Sequence, residues 1–278
     1  MVKIITDSTS GLSKELSDRY DIPVIPQIVI FGEESFYEGV TIDNTGFLMR
    51  LQTSSQLPTT AAPPPELFAQ EFTRLAPLGE PILCIHPSAE VSGTVRSATV
   101  AAKDFPGTDI RVIDTRVVAS PLATMVQLAA EWAQSGLDID IIQSRLVNMI
   151  PRCRLYFMVD TLEYLAKGGR IGGASALLGS VLQIKPILAM HNGIIDTYEK
   201  ARTHNRAYAR LISIVLEQIP RREEAYLSVM HASVPEEASC LAEELGRHLS
   251  LRDIPIMDVP PAITTHGGPG ILGVSFFI

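Results

Sequence analysis

The sequence has few cysteines, few histidines and an excess of negative charge. Its three cysteines, Cys84, Cys153 and Cys240, show no CxxC spacing, which excludes disulfide scaffolds and cysteine-based zinc sites and is typical of reduced cytosolic thiols. The six scattered histidines form no HExxH or similar pair, so we expect no metal site. The net charge of -8, without any run of Lys or Arg, opposes binding to a phosphate backbone. We therefore expect no nucleic-acid partner.

Long apolar segments are also missing from the sequence. The amino terminus reaches Asp7 before it contains the apolar stretch of a signal peptide. No apolar segment reaches the roughly 20 residues that a membrane-spanning helix requires. These two absences predict a cytoplasmic protein without stable membrane insertion.

The 278 residues, of which 46% are hydrophobic and 19% are charged, are enough for two packed domains. Short apolar runs alternate with helical periodicity in the first half, which is typical of a parallel sheet. The predicted strands are residues 2–6, 22–31, 81–85 and 110–114, and the predicted helices are residues 13–20, 44–52, 65–75, 92–103, 119–134 and 139–149. The prolines of residues 57–65 exclude a helix or a central strand, so we predict a stiff, shaped loop there.

The second half of the chain has a different pattern. We predict strands at residues 155–159, 186–190, 194–200, 225–231 and 273–277, and helices at residues 161–167, 205–218 and 235–250. Asn192 and Gly193 between two apolar runs are a strong hairpin signal, so this sheet is at least partly antiparallel. The sequence thus predicts an α/β protein with a parallel-sheet domain over residues 1–155 and a mixed-sheet domain over residues 156–278.

Hydroxyl groups cluster where a helix is predicted to follow the strand at residues 81–85. This segment contains Ser92, Gly93 and Thr94, and its hydroxyls and free backbone N–H groups suit an anion. Ser92 can also simply cap the helix. No Walker-type Gly-Lys-Ser/Thr follows and no G-x-S-x-G elbow is present, so a nucleotide phosphate and a nucleophilic serine are both disfavoured.

Other segments offer further polar or cationic groups. Thr59 and Thr60 could face the crevice at the carboxyl end of the sheet, or could only form a turn. The basic, glycine-rich segment 167–173 could bind an anionic ligand or an acidic partner, or its glycines could only end a helix. Arg202 adds a cation after a predicted strand. His266 lies in a glycine-rich loop that could approach another element closely, although a lone histidine is usually structural.

Eight short strings of the sequence resemble the DegV family, and they follow the family's order along nearly the whole chain. These strings are DSTS (7–10), LPTT (57–60), SGT (92–94), VIDT (112–115), LEYLAKGGRIG (162–172), KPIL (185–188), KAR (200–202) and HGGPG (266–270). Any one string is weak by itself. Eight strings in the right order leave little room for coincidence.

The resemblance implies the fold of the DegV and dihydroxyacetone kinase group, with a fatty acid between a parallel-sheet domain and a mixed-sheet domain. The residues that it implies for the carboxylate of the fatty acid are Thr60, Ser92, Gly93, Thr94 and His266. Arg170 and Arg202 match cations on the side of the head group or of a partner.

The same resemblance implies a role for the protein in bacteria. The expected protein is a non-catalytic carrier without a metal or cofactor, and its ligand is a long-chain acid such as palmitate, stearate or oleate. A separate, ATP-dependent fatty acid kinase subunit is the implied partner, and the acyl phosphate that it makes enters phospholipid synthesis.

One departure from the family pattern lies in the proline-rich segment. The family often reads Thr-Ser-Gln-Pro where this chain has Thr60, Ala61, Ala62 and Pro63. The hydroxyl of Thr60 is kept, but the polar pair after it is lost. Auxiliary hydrogen bonds to the ligand are therefore in doubt at this segment.

Three other functions compete with carriage. A serine-dependent acyl-ester hydrolase would use Ser92 as nucleophile and His266 as base. A small-molecule binding subunit like that of dihydroxyacetone kinase would hold a carbonyl substrate on a histidine. A regulatory protein is the third, and an acidic chain without a DNA-binding element is unpromising for it.

Overall fold

A computed structural model describes residues 1–178, 184–221 and 225–278. The chain divides into two compact units, Met1–Pro151 and Arg152–Ile278. The predicted domain division after residue 155 falls inside the first strand of the second unit, and it stays a prediction. Within the described ranges, no helix is long and apolar enough to cross a membrane.

The first unit is built around a parallel sheet. Its strands are β1 (Lys3–Asp7), β2 (Val24–Ile25), β3 (Ile28–Phe31), β4 (Glu34–Tyr37), β5 (Thr59–Ala61), β6 (Ile82–His86) and β7 (Ile110–Asp114). Its helices are α1 (Lys14–Tyr20), α2 (Asn44–Thr53), α3 (Pro65–Leu75), α4 (Thr94–Ala102), α5 (Ser120–Gln134) and α6 (Ile139–Met149). The parallel sheet has the order β2-β1-β6-β7, which confirms the predicted parallel architecture of this half.

Helices cover both faces of this sheet, because its central strands carry apolar side chains on both faces. On one face Ile5 and Cys84 pack with Phe68 of α3 and Ala98 of α4. The alternate residues, such as Leu83, are also buried, and α5 contacts β1 and β6. The result is an α/β/α unit whose apolar core lies on either side of β1 and β6.

A second, smaller sheet in this unit corrects two predictions. It has the order β4-β3-β5 and is antiparallel. The single strand predicted over residues 22–31 is wrong, because Pro26 lacks an N–H donor and the chain leaves the parallel sheet there. The loop predicted over residues 57–65 is also wrong at its centre, where β5 forms an edge strand of the small sheet. Pro58 and Pro63 lie outside β5, so neither proline interrupts its hydrogen bonds.

The second unit is built around a mixed sheet. Its strands are β8 (Cys153–Met158), β9 (Lys185–His191), β10 (Ile194–Ala201), β11 (Ser228–His231), β12 (Ile256–Asp258) and β13 (Leu272–Phe277). Its helices are α7 (Glu163–Lys167), α8 (His204–Gln218), α9 (Pro235–Leu249) and α10 (Pro261–Gly267). The strand order is β10-β9-β8-β13-β11-β12, in which β11 and β12 are parallel and the other neighbours are antiparallel. The predicted mixed sheet is confirmed.

Local sequence explains the main features of the second unit. Asn192 and Gly193 both have positive φ, as the predicted two-residue hairpin between β9 and β10 requires. Leu211 of α8, Leu241 of α9 and Val274 of β13 are fully buried in one apolar cluster. The loop predicted around His266 is wrong at its start, because His266 lies in the last turn of α10, a short helix that the sequence did not predict.

Candidate functional site

The carboxyl ends of β1 and β6 mark the natural binding edge of the parallel sheet. From β1 the chain passes through α1 to β2 on one side, and from β6 it passes through α4 to β7 on the other side. The two connections leave in opposite directions, and this arrangement opens a crevice at the carboxyl ends of the two strands. Asp7 ends β1 and His86 ends β6, so the loops after these two residues border the crevice.

A buried carboxylate lies at this edge of the sheet. Asp7 accepts hydrogen bonds from Thr9 N at 3.0 Å, Thr9 Oγ1 at 2.6 Å and Gln27 Nε2 at 2.9 Å. The Nδ1 atom of His86 lies 2.8 Å from Asp7 Oδ2, and Asp7 and His86 are both 0% exposed. An ionised carboxylate only accepts hydrogen bonds, so His86 donates from Nδ1. The residues around Asp7 thus supply four donors, which is the environment that a buried negative charge needs.

Sequence reasoning gave no role to this cluster. Gln27 is 20 residues and His86 is 79 residues from Asp7 in sequence, so no local pattern joins them. The one available signal was the DSTS string, which contains Asp7 and Thr9.

Ser92 lies on the loop between β6 and α4, next to this cluster. Helix α4 begins at Thr94, and its N-cap is Gly93, which makes no side-chain cap. The predicted helix start at Ser92 is therefore two residues too early, because Ser92 precedes the N-cap. Ser92 Oγ lies 2.8 Å from Thr94 Oγ1 and accepts from Thr94 N at 3.3 Å. Thr94 Oγ1 in turn accepts from Gln27 Nε2 at 2.8 Å, which joins Ser92 to the buried carboxylate.

The segments that carry Thr60 and Ser92 lie close together. Thr60 is half-buried in β5, opposite Val29 of β3. A Cβ atom built on Gly93 would lie 3.3 Å from Ala62 Cβ, so the loop before α4 packs against the residues that follow β5. The departure from the family pattern is located at this contact, because Ala62 is one of the two small residues that replace the polar pair. A larger side chain at position 62 would have to turn away from Gly93.

In the second unit, His266 and Arg170 share one corner. A Cβ atom on Gly168 would lie 2.3 Å from His266 Nδ1, so only a glycine lets the imidazole approach α7 this closely. Arg170 Nη1 donates to the carbonyl oxygen of Gly168 at 2.7 Å. Burial, and secondly the positive charge of Arg170, lower the pKa of His266 to about 4. The imidazole is therefore neutral at neutral pH.

Arg202 is arranged differently from Arg170. It follows β10, is exposed, and makes no hydrogen bond or ion pair with any residue in the described part of the chain. No hydrogen bond or ion pair in that part joins Arg202 to Arg170 or His266. Arg202 is thus a solvated cation rather than a member of the His266 corner.

Two further features lie apart from the predicted site residues. Over the described ranges, no group of three or more His, Cys, Asp or Glu side chains is placed to hold a metal ion. A cavity of about 520 Å³ in the second unit is lined by residues that include Pro220, Tyr226, Leu251 and Pro255. Its lining contains none of the predicted site residues.

Comparisons with known proteins cover the whole chain. The family model described as "Uncharacterised protein, DegV family" matches residues 1–278. A DegV domain-containing protein of Streptomyces coelicolor is 38% identical over 275 residues, which are 98% of this chain and 97% of the relative.

Solved structures with the same fold include proteins whose names say that they bind a fatty acid. DegV, a fatty acid binding protein from Bacillus subtilis, matches with a TM-score of 0.92 and 31% identity over 100% of this chain and 99% of that chain. A stearic acid-binding protein from Eubacterium ventriosum matches with a TM-score of 0.91 and 25% identity over 100% of this chain and 98% of that chain. These similarities confirm the predicted fold class.

Proposed function

Because this chain belongs to the DegV family, as its sequence motifs predicted, we propose that it binds one long-chain fatty acid such as palmitate, stearate or oleate. The carboxylate of the acid binds at Thr60 and Ser92, with Gly93 and Thr94 beside them. The observation that carries this proposal is the Ser92 hydroxyl, which ends a buried hydrogen-bonded chain at the binding edge of the parallel sheet. The fatty-acid binding of the structural relatives supports the class of ligand.

The chemistry of a fatty acid fits a site made of hydroxyl groups. Burial of an alkyl tail of about sixteen carbons contributes on the order of 10 kcal/mol, at roughly 0.8 kcal/mol per methylene. Ordering the tail and removing water from the carboxylate offset part of this gain, so the head group needs hydrogen-bond donors. Neutral donors satisfy the carboxylate and leave it charged and chemically available. His266, whose low pKa keeps it neutral, has the chemistry for the same role.

Mass spectrometry of lipids released from the denatured, purified protein tests the ligand class. We expect a long-chain acid at about one molecule per chain. After removal of that lipid, the protein should bind oleate in a calorimetric titration. A protein that releases no fatty acid and binds neither oleate nor palmitate contradicts the proposal.

We further propose that the protein is a carrier that presents the carboxylate to a separate, ATP-dependent fatty acid kinase. The kinase would transfer the γ-phosphoryl group of ATP to a carboxylate oxygen, giving ADP and an acyl phosphate for phospholipid synthesis. Arg170 and Arg202 are the cations that we assign to the head-group or kinase side. The exposure of Arg202, without an ion pair in the described part of the chain, supports a role at a partner surface. The three free cysteines fit the cytoplasm as the compartment of this carriage.

Trapping with hydroxylamine tests the carrier role, because acyl phosphates react with it to give hydroxamates. The loaded protein, ATP and the kinase of a bacterium that has this system should yield hydroxamate, and omission of any one should abolish it. Arg202→Ala should slow the reaction, whereas Arg252→Ala, which removes another exposed cation of the same unit, should not. An acid that stays unphosphorylated in the complete mixture contradicts the carrier role.

The hydrolase alternative receives no support from the contacts of Ser92. Its hydrogen-bond partner among the described residues is Thr94, whereas a nucleophilic serine needs a base within about 3.2 Å. We therefore propose that the protein has no catalytic activity of its own. Covalent labelling of Ser92 by a fluorophosphonate, or turnover of a chromogenic ester, would contradict this.

A further inference from the structure

We infer that Asp7, Gln27 and Thr94 are positioning residues that orient the Ser92 hydroxyl as a hydrogen-bond donor, so that the site selects an acceptor such as a carboxylate. The inference rests on the proposed function, because it concerns the group that Ser92 offers to the ligand. It follows from the direction of each hydrogen bond in the chain that leads from Asp7 to Ser92.

The direction is set at the buried end of the chain. Asp7 accepts four hydrogen bonds and is 0% exposed, so the group of Gln27 that faces it must be the donating NH2 group. Gln27 is itself 3% exposed. Its backbone is fixed as well, because Gln27 N donates to Ser8 Oγ at 2.9 Å. The amide of Gln27 therefore cannot flip without placing its carbonyl oxygen against a carboxylate.

The second hydrogen of the Gln27 amide fixes the direction of the next hydrogen bond, which Thr94 accepts. Gln27 Nε2 donates to Thr94 Oγ1 at 2.8 Å, so Thr94 is an acceptor in this contact. Thr94 is 0% exposed, and in the described part of the chain Ser92 Oγ, at 2.8 Å, is the one acceptor within reach of its hydroxyl hydrogen. A buried hydroxyl that donates no hydrogen bond destabilises the fold, so Thr94 donates to Ser92.

Ser92 is left with one possible role. Its oxygen accepts from the hydroxyl of Thr94 and, at 3.3 Å, from Thr94 N, which uses both of its lone pairs. The hydrogen of Ser92 finds no acceptor among the residues that the structure describes. It is therefore held ready for an atom from outside the chain, and that atom must accept a hydrogen bond.

Loss of the Gln27 donor should release this orientation. In Gln27→Met, Thr94 Oγ1 gains a vacant lone pair, and Ser92 can then donate to Thr94 instead of to the ligand. A carboxylate, which only accepts, should lose most from this change. A fatty alcohol, which can both donate and accept, should lose little.

The test compares oleate with oleyl alcohol in wild-type protein, Gln27→Met and Ser97→Ala, a change one turn further along α4. We expect Gln27→Met to weaken oleate binding about tenfold or more and oleyl alcohol binding less than about threefold. Ser97→Ala should leave both affinities unchanged. Because Gln27 is buried, a second pair guards against a folding defect: Thr94→Val should reduce the ratio of the two affinities, and Thr94→Ser should recover most of it.

The inference is overturned if wild-type protein binds oleate but folded Gln27→Met and Thr94→Val leave the ratio of the two affinities unchanged. An equal fold loss for both ligands also leaves this ratio unchanged, and it is the result of a merely structural role. Wild-type protein that binds neither ligand contradicts the proposed function itself, so the two failures are distinguishable.

Discussion

In the first unit, Ser92, which is predicted to bind the carboxylate, is hydrogen-bonded to a chain of buried side chains. In the second unit, by contrast, His266 packs against the backbone of Gly168. The first arrangement depends on which atoms donate and accept, because Ser92 is joined through Thr94 to a buried carboxylate. The second depends on volume, because no side chain fits between α7 and the imidazole. The Ser92 site should therefore respond to isosteric polar substitutions, and the His266 corner should respond to added methyl groups.

The largest effect is expected from removal of the buried carboxylate. Asp7→Ala leaves donors from Thr9, Gln27 and His86 without their acceptor, and should lower the free energy of unfolding by about 3–5 kcal/mol. Asp114→Ala is the matched control, since Asp114 ends strand β7 of the same sheet but is partly exposed. It should cost about 1 kcal/mol. Urea denaturation followed by circular dichroism measures both, and equal costs would contradict the special role of Asp7.

A smaller effect is expected from a methyl group added at the His266 corner. Gly168→Ala forces the imidazole of His266 aside and should cost about 1–3 kcal/mol. Gly169→Ala is the matched control, because Gly169 has a φ of +70° but open space around its Cα, so it meets only backbone strain of about 1 kcal/mol. A nuclear magnetic resonance titration should also find the pKa of His266 raised in Gly168→Ala and unchanged in Gly169→Ala. A His266 signal that is the same in both would contradict the close packing.

The smallest effect is a pH dependence of the stability that arises from the His266 corner. The pKa of His266 is about 4 in the folded protein and 6.5 ordinarily, so between these values the unfolded chain binds a proton that the folded chain does not. His266 therefore lowers the stability progressively as the pH falls from about 6.5 towards 4, and has no such effect above that window. His266→Gln should lose this part of the slope. Urea midpoints of both proteins at pH 7, 6 and 5 measure it, and parallel curves would contradict the burial of His266.

Much of the fold could be predicted because its signals are local. The predicted helices at residues 65–75 and 139–149 and the strand at 110–114 have the observed bounds. Helix α3 shows why, since Pro65 suits a first helical turn and apolar residues then recur at helical spacing. The failures are short elements whose stability comes from tertiary neighbours, such as β5, β12 and α10.

The site was only partly predictable, for the same reason. Ser92 and Thr60 were predicted from motifs, and their segments do approach each other at Gly93 and Ala62. Gln27 was missed because it lies at the break between β2 and β3, inside a stretch that we predicted as one strand. Its role depends on residues far away in sequence, and only the folded sheet brings them together.

The most direct measurement is the affinity of the delipidated protein for oleate, taken by calorimetry on wild-type protein, Ser92→Ala and Ser97→Ala. Loss of the Ser92 hydroxyl should cost about 1–3 kcal/mol of binding free energy, which is a loss of affinity of roughly fivefold to more than a hundredfold. Ser97→Ala should bind oleate as wild-type protein does. Wild-type affinity in Ser92→Ala would contradict the assignment of this hydroxyl to the carboxylate.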